Sequence, residues 1–498
     1  MLNKLIFIFI LLIPLSVYSS EPKGKDSILQ YSYATIQEFW DQMEDIFNDP
    51  NFSSANWGVL IQSLQTGEYF YRRNENKLFV PASNLKLFTT AGALEILGPD
   101  YTFSTNIYLN GKIDGSILIG DLVVEGRGDP AISGRFYSGD LLKVFNNWAD
   151  SLLAFGIDEI DGNLIGDDNQ FEDKGLGEGW AWDNESYWFS AQSGALSFND
   201  NCVDIIVAVD KKSNLPVLSM APDTKYIVPI NKVIAVPDDS LTMIDVYRER
   251  GTNIVTVFGK IRVSDSVKTY VSVNNPTQYF MVALKEVFEN RGIKVTGFPQ
   301  DIDDVTKSLN YGTMQKLFTH YSPQLKEIIK AINKNSQNFF AEQLLKTIGL
   351  ETRNFGSVEF GLVALSQFFK DIGINPEDMN MVDGSGLSRL NLVTPKQIVD
   401  LLNYIYQSYN FIGFFNSLPI AGVDGTLGDR MKNAALRGKI RAKTGYLESV
   451  RSLSGYAYTG DNEPISFSIM VNNFNVPVKL AENIQDLVCL RIANFKRK

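Results

Sequence analysis

Ser83 and Lys86 stand three residues apart in Pro81-Ala82-Ser83-Asn84-Leu85-Lys86-Leu87, at the expected start of a helix. Residues three apart share a helical face, so hydroxyl and amine point into one space. An amine held in a half-buried site loses proton affinity and can take the proton of a neighbouring hydroxyl. That is the chemistry of a serine nucleophile that needs no histidine. The chain has one histidine, His320, so a Ser-His-Asp or Cys-His arrangement exists only if His320 serves, and a zinc site is disfavoured. By itself the S-x-x-K spacing is weak and more often marks a capping serine beside a solvated lysine. Two later segments give it weight. Ser336-Gln337-Asn338 sits at the mouth of an expected helix, where it also reads as an ordinary cap. Lys443-Thr444-Gly445 lies on an expected strand. An ammonium beside a hydroxyl grips a carboxylate, and Gly445 removes side-chain bulk where a ligand could approach.

The elements around these residues form a pattern. The run from Leu87 to Leu97 is apolar on nearly every side and predicts a buried core helix. Upstream, residues 35–48 carry Ile36, Phe39, Trp40, Met43, Ile46 and Phe47 on one helical face. Strands follow at 57–64 and 68–73, joined by the hairpin signal Gln65-Thr66-Gly67. After Pro99 the character changes, and residues 101–304 read as β-rich material inserted into the first domain. Helices are expected at 141–155 and 278–290 within it. Beyond Asn310 the pattern is helical again, with helices at 323–334, 338–348, 358–372 and 395–408. The strands 441–445, 450–458 and 464–471 and a last helix carrying Leu480, Ile484, Leu487, Val488 and Ile492 complete it. His320 reads as a loop residue before a helix.

Composition excludes several functions. With 498 residues the chain is too long for one core, and two or three domains are expected. A hydrophobic content of 44% is ordinary for a globular protein, and a net charge of −11 supplies no basic footprint for nucleic acid. Cys202 and Cys489 lack C-x-x-C spacing and read as two isolated buried thiols, with a disulfide between them left open. Residues 1–20 read as an export signal: Lys4, the apolar run from Leu5 to Leu15, then small residues suited to cleavage after Ser19 or Ser20. The run is short for a membrane span, and an uncleaved anchor is the alternative. The basic end Lys496-Arg497-Lys498 is either a contact for an anionic surface or the frayed tip of a packed helix.

Taken in order, Ser83-x-x-Lys86, Ser336-x-Asn338 and Lys443-Thr444-Gly445 resemble the motif triplet of the penicillin-recognising serine enzymes. The gap from Ser83 to Ser336, 253 residues, is far longer than in β-lactamases. It resembles instead the low-molecular-mass class C penicillin-binding proteins, the D-alanyl-D-alanine carboxypeptidase/endopeptidase family, over essentially the whole mature chain. Matching stretches include residues 126–130, Gly177-Glu178-Gly179-Trp180-Ala181-Trp182-Asp183, residues 195–199, Val382-Asp383-Gly384-Ser385-Gly386-Leu387-Ser388-Arg389 and residues 421–427.

The resemblance implies a mixed α/β fold. A transpeptidase/β-lactamase-like domain, antiparallel sheet flanked by helices, occupies 21–100 and 305–498. One insertion domain occupies 101–165 and 263–304, and a second is nested at 166–262. It further implies that Ser83 attacks the carbonyl between two terminal D-alanines, with Lys86 as base and Ser336 relaying the proton to the leaving amine. Asn338 would hold the substrate's side amide. Lys443 and Thr444 would bind the terminal carboxylate. The N–H groups of Ser83 and Tyr446 would form the oxyanion hole, Tyr446 standing where the family often has Thr. Gly445 and Leu387 fall on substrate-binding positions. Asp129 and Arg389 would line a pocket for the free end of a diaminopimelate side chain, although the aromatic expected after Asp129 is out of register, Phe136 following Gly134 and Arg135. No cofactor or metal is implied. The partners implied are peptidoglycan stem peptides, with β-lactams as acylating inhibitors, no nucleic acid and at most peripheral membrane contact, in a periplasmic or otherwise extracytoplasmic setting. A β-lactamase and a non-catalytic peptidoglycan-binding protein are the rival readings.

Overall fold

The computed structural model describes residues 32–306 and 308–498. The export-signal reading of residues 1–20 lies outside the described residues. At the centre is a five-stranded antiparallel sheet in the order 441–447, 450–458, 464–472, 56–63, 69–73. Two of its three interior strands, Val450–Tyr458 and Pro464–Asn472, are buried along nearly their whole length, because both faces are covered.

One face is covered by the helices Ile36–Phe47 and Val478–Asn494. The first starts at a capping box in which Thr35 and Glu38 satisfy each other's backbone N–H groups. Its residues Phe39, Met43 and Phe47 share one core with Val59, Ile61, Leu453 and Ile469. The other face carries the helices Lys86–Ile96, Leu325–Lys334, Asn338–Arg353, Val358–Asp371 and Pro395–Gln407. These helices and strands match the sequence expectations to within a few residues. The short helix Phe411–Ser417 was not foreseen.

The segment that carries Ser83 differs from expectation. Ser83 lies on a single 3-10 turn, Ala82–Leu85, and the α-helix begins only at Lys86. Ala82, the residue before Ser83, has φ +48°, a left-handed conformation that a non-glycine residue holds only when its surroundings enforce it.

The β-rich middle of the chain builds a seven-stranded mixed sheet and two three-stranded sheets. The long hairpin Ser104–Asp114 and Ile117–Gly126 anchors the first. Its outer strand is Gln315–Tyr321, paired antiparallel with Ser104–Asp114. His320 is therefore a strand residue and not a loop residue, and pairing with the inserted sheet runs past 304. The smaller sheets are made from 202–221 with 266–272, and from 228–236, 243–248 and 254–262. Helices Lys143–Ala154 and Pro276–Asn290 share one apolar core with all three sheets.

This body is joined to the helical one along the Asn338–Arg353 helix, where the Gln343 amide donates to the carbonyls of Gly128 and Gly194. Both cysteines are buried and unbridged. The basic end is not frayed. Phe495–Arg497 pairs in parallel with Ser32–Ala34, Arg497 meets Glu463 and Glu68, and Lys498 meets Glu38. Among the described residues no helix is long and apolar enough to cross a membrane.

Candidate active site

The three motifs converge. Lys86 Nζ lies 2.9 Å from Ser83 Oγ, 2.6 Å from Asn338 Oδ1 and 2.6 Å from the Ser385 carbonyl. Lys86 is fully buried, and burial lowers its pKa to about 7, with the nearby Asp383 and Glu342 carboxylates acting in the opposite direction. Asn338 Oδ1 and the Ser385 carbonyl can only accept. A neutral amine has two N–H groups for them, and its lone pair is left facing the Ser83 hydroxyl. The site thus orients a base without a histidine. Ser83 itself is only partly buried.

Lys443, from the strand Arg441–Leu447, closes the other side. Its Nζ donates to Ser336 Oγ at 2.9 Å and to the Thr444 carbonyl at 2.8 Å. Burial, assisted by the positive charge of Lys86, holds Lys443 well below the usual lysine range. An arriving carboxylate would restore its charge. Ser336 has φ +60° at the entrance to the Asn338–Arg353 helix. The Thr444 hydroxyl donates to that of Thr426.

Backbone contacts lock the nucleophile turn against this strand. Asn84 Nδ2 donates to the Lys443 carbonyl at 2.8 Å, and Ser452 Oγ donates to the Pro81 carbonyl at 2.6 Å. Gly445 was expected to make room for a ligand. Instead it makes room for the protein: a Cβ there would stand 2.0 Å from Ser452 Oγ, 2.7 Å from the Pro81 carbonyl oxygen and 3.1 Å from the Ser83 nitrogen. The Arg441–Leu447 strand is an edge strand, so half of its N–H groups face away from the sheet. It runs beside the Ser83 N–H, which is where two backbone donors can meet one oxyanion. Tyr446 is 64% exposed, with the Arg451 guanidinium 3.6 Å from its ring centroid.

Asn338 was expected to face the substrate. Its amide is occupied within the protein, Oδ1 with Lys86 and Nδ2 with the Phe189 carbonyl at 2.8 Å. Asp129 and Arg389, expected in one pocket, are engaged elsewhere. Asp129 is 1% exposed. One oxygen accepts from the Ala131 N–H at 2.8 Å, and the other lies 3.6 Å from His320 Nε2, so the carboxylate is turned into the protein. Burial raises Asp129 to about 7 and lowers His320 to about 4, so burial disfavours the charged form of each. Arg389 is exposed and donates to the Glu448 carbonyl at 2.8 Å, next to the strand that carries Lys443. Leu387 is half-buried on the same loop.

Sequence reasoning missed two buried carboxylates behind the site. Glu342 accepts from the N–H groups of Gly384 and Ser385, which sets the carbonyl that receives Lys86. Asp383 accepts from the N–H groups of Gly386 and Ser388, the Asn391 amide and the Trp180 indole, and so shapes the loop that carries Arg389. The available signal was an acid one turn beyond Asn338 in the otherwise apolar run Asn338-Phe339-Phe340-Ala341-Glu342.

A helix-flanked antiparallel sheet, with a serine held between one buried lysine at its base and another on the edge strand, defines the penicillin-recognising class of serine hydrolases. Comparison with known proteins narrows the class. A model of the D-Ala-D-Ala carboxypeptidase 3 (S13) family matches residues 40–493, and the chain belongs to that family. It is a serine-type D-Ala-D-Ala carboxypeptidase. A D-alanyl-D-alanine carboxypeptidase of an Actinomadura species is 31% identical over 496 residues, covering 97% of this chain and 89% of the relative. DacB of Haemophilus influenzae is 26% identical over 452 residues, 86% of this chain and 90% of the relative. The crystal structure of penicillin-binding protein 4 from the same organism superposes with a TM-score of 0.75 at 26% identity, covering 89% of this chain and 97% of that one.

Proposed function

We propose that Ser83 is the acylated nucleophile and that the enzyme removes terminal D-alanine from peptidoglycan stem peptides and also opens D-alanyl cross-links. Ser83 gives its proton to Lys86 Nζ as Oγ attacks the carbonyl carbon. The N–H groups of Ser83 and Tyr446 receive the oxyanion. As the C–N bond breaks, the leaving amine takes a proton through Ser336. Water, activated by the same lysine, then frees the acyl-enzyme. Lys443 and Thr444 hold the carboxylate of the leaving residue, and Asn338 keeps Lys86 aimed.

One observation carries this reading: among the described residues the Lys86 amine has two fixed acceptors and one further hydrogen-bond partner, Ser83 Oγ, at 2.9 Å. Support for β-lactam acylation comes from penicillin-binding protein 4 of Haemophilus influenzae, whose structure has been described in complex with a β-lactam. A wall substrate places the enzyme outside the cytoplasm, in keeping with the export signal read in residues 1–20.

Fluorescent penicillin should label the wild type and leave Ser83→Ala unlabelled. Digestion of purified monomeric and cross-linked muropeptides should release D-alanine from the first and monomers from the second. Labelling that survives in Ser83→Ala would overturn the assignment.

A further inference from the structure

Beside the catalytic cleft lies a second concavity of about 350 Å³. Gln337, between the two catalytic-motif residues Ser336 and Asn338, forms part of its wall, with Trp188 adjoining and with Arg135, Asp200, Lys268 and Tyr270 further along. Two features set its chemistry. Its charges are already paired: Arg135 with Asp200 at 2.5 Å and Lys268 with Asp204 at 2.5 Å. A charged ligand would have to break one of these pairs. A neutral ligand bearing hydroxyls and amides would instead use the donors and acceptors the pairs still present, for the Arg135 and Lys268 side chains remain 35% and 48% exposed. The concavity also offers aromatic rings, Trp188 at 38% and Tyr270 at 40% exposure. Apolar ring faces beside a polar rim suit a sugar ring, which is apolar on its C–H faces and hydroxylated at its edge.

The wall is also built at some conformational cost. Asn199, Asp200 and Asn201 have φ of +48°, +57° and +53°, three consecutive left-handed residues without a glycine. Such a run persists only where its surroundings enforce it. Here the Asn201 amide donates to the Gln192 carbonyl and to Ser197 Oγ, and the Asn199 amide donates to the Cys202 carbonyl. The result turns Asp200 towards Arg135.

The concavity is connected to the chemistry. Trp188 adjoins Phe189, whose carbonyl accepts from Asn338 Nδ2, and Asn338 Oδ1 accepts from Lys86. Gln337 adjoins Asn338 along the chain. A ligand seated here meets Gln337, the chain neighbour of Asn338, and Trp188, the chain neighbour of the Phe189 that accepts from it.

We propose that this concavity is a saccharide subsite, holding an amino-sugar residue of the glycan strand that bears the stem peptide. Its occupation steadies Asn338 and with it Lys86. The proposal rests on the reading of Ser83, Lys86 and Asn338 given above.

The test compares a stem pentapeptide ending in D-Ala-D-Ala with the same peptide carrying its N-acetylated disaccharide. Wild-type kcat/KM should favour the glycosylated substrate about tenfold, the scale of one buried ring contact. Tyr270→Ala and Arg135→Ala should bring that ratio to about one, with bare-peptide kinetics and penicillin labelling unchanged, and Tyr270→Phe should keep it. Separately, the peptide-free disaccharide is titrated into wild type and Tyr270→Ala by calorimetry. Saturable binding to the wild type alone supports the subsite even if neither substrate is cut, a result that would instead sink the catalytic reading. A wild-type ratio near one, a ratio that survives both alanine variants, or no saturable binding of the disaccharide overturns the subsite.

Discussion

A lysine amine that is fully buried, hydrogen-bonded to two obligate acceptors and aimed at one hydroxyl is a base only when neutral. With Lys86 lowered by burial to about 7, acylation by penicillin should level off above that pH and fall about tenfold per unit below it. A flat profile between pH 5 and 8 would contradict the assignment. Glu342 acts through Lys86: it fixes the Ser385 N–H, and its ionised form, which burial restricts to the range above about 7, opposes the effect of burial on the amine. Glu342→Gln should therefore move the acid limb to lower pH, because burial then acts with less opposition. The plateau should drop about tenfold through the lost charge-assisted bond. Measured acylation rates across pH separate the two effects, and a merely structural role would move only the second. At this scale the order of three separated motifs, and not any one residue type, is what let the sequence expect Ser83, Lys86, Ser336 and Lys443 in one place, and the structure does bring them together. The sequence was not readable where direction matters. Nothing in Gly126-Arg127-Gly128-Asp129-Pro130 states that the Asp129 carboxylate turns inward to His320, or that Asn338 spends its amide on Lys86 and Phe189.

Among the elements, the 3-10 turn Ala82–Leu85 and the edge strand Arg441–Leu447 decide whether the site exists. They meet at Gly445, where the neighbouring atoms leave no room for a methyl group. Gly445→Ala should cost about 1–3 kcal/mol of stability through overpacking. It should also slow acylation about 10²-fold by shifting the strand off Ser83. Thermal melts and penicillin kinetics on the same sample check both, and an alanine variant with wild-type acylation would show that the contact does not position the nucleophile. The long helices were legible because their apolar faces repeat with the helical period, and Pro395 and Thr394 mark a start unambiguously. The strand Gln315–Tyr321 was not, because it is half-exposed along its length and lacks a clean alternation of apolar and polar residues. Its place is set by a partner, Ser104–Asp114, some two hundred positions away, as the Thr319–Asn106 hydrogen bond records. The single 3-10 turn at Ser83 was read as helix because both put residues three apart on neighbouring faces.

For the molecule as a whole, the pairing of Ser32–Ala34 with Phe495–Arg497 ties two distant segments to each other and to the outer face of the central sheet. Arg497 serves both Glu463, which is nearly buried, and Glu68. Arg497→Ala should lower the melting temperature by about 2 °C, less in high salt, and leave penicillin labelling intact. A variant that melts unchanged would mean that the backbone pairing alone holds this edge. The break in composition near 100 falls just before the strand Ser104–Asp114, but the one near 304 stops short of Gln315–Tyr321, which belongs to the same sheet. The assembly of the β-rich stretch into three sheets around one core depends on pairings across the chain that no local period encodes.

The central sheet also has a consequence for timing. Ser83 belongs to an early stretch of the chain, while the strand bearing Lys443 is contributed 359 positions after Asn84, its hydrogen-bonding neighbour. During synthesis the nucleophile emerges long before the second lysine and the edge that completes its anion cradle. Without that late ribbon the Ser83 turn lacks the strand against which Asn84 and Pro81 are fixed, so the arrangement around its hydroxyl is complete only once the far end of the chain has docked.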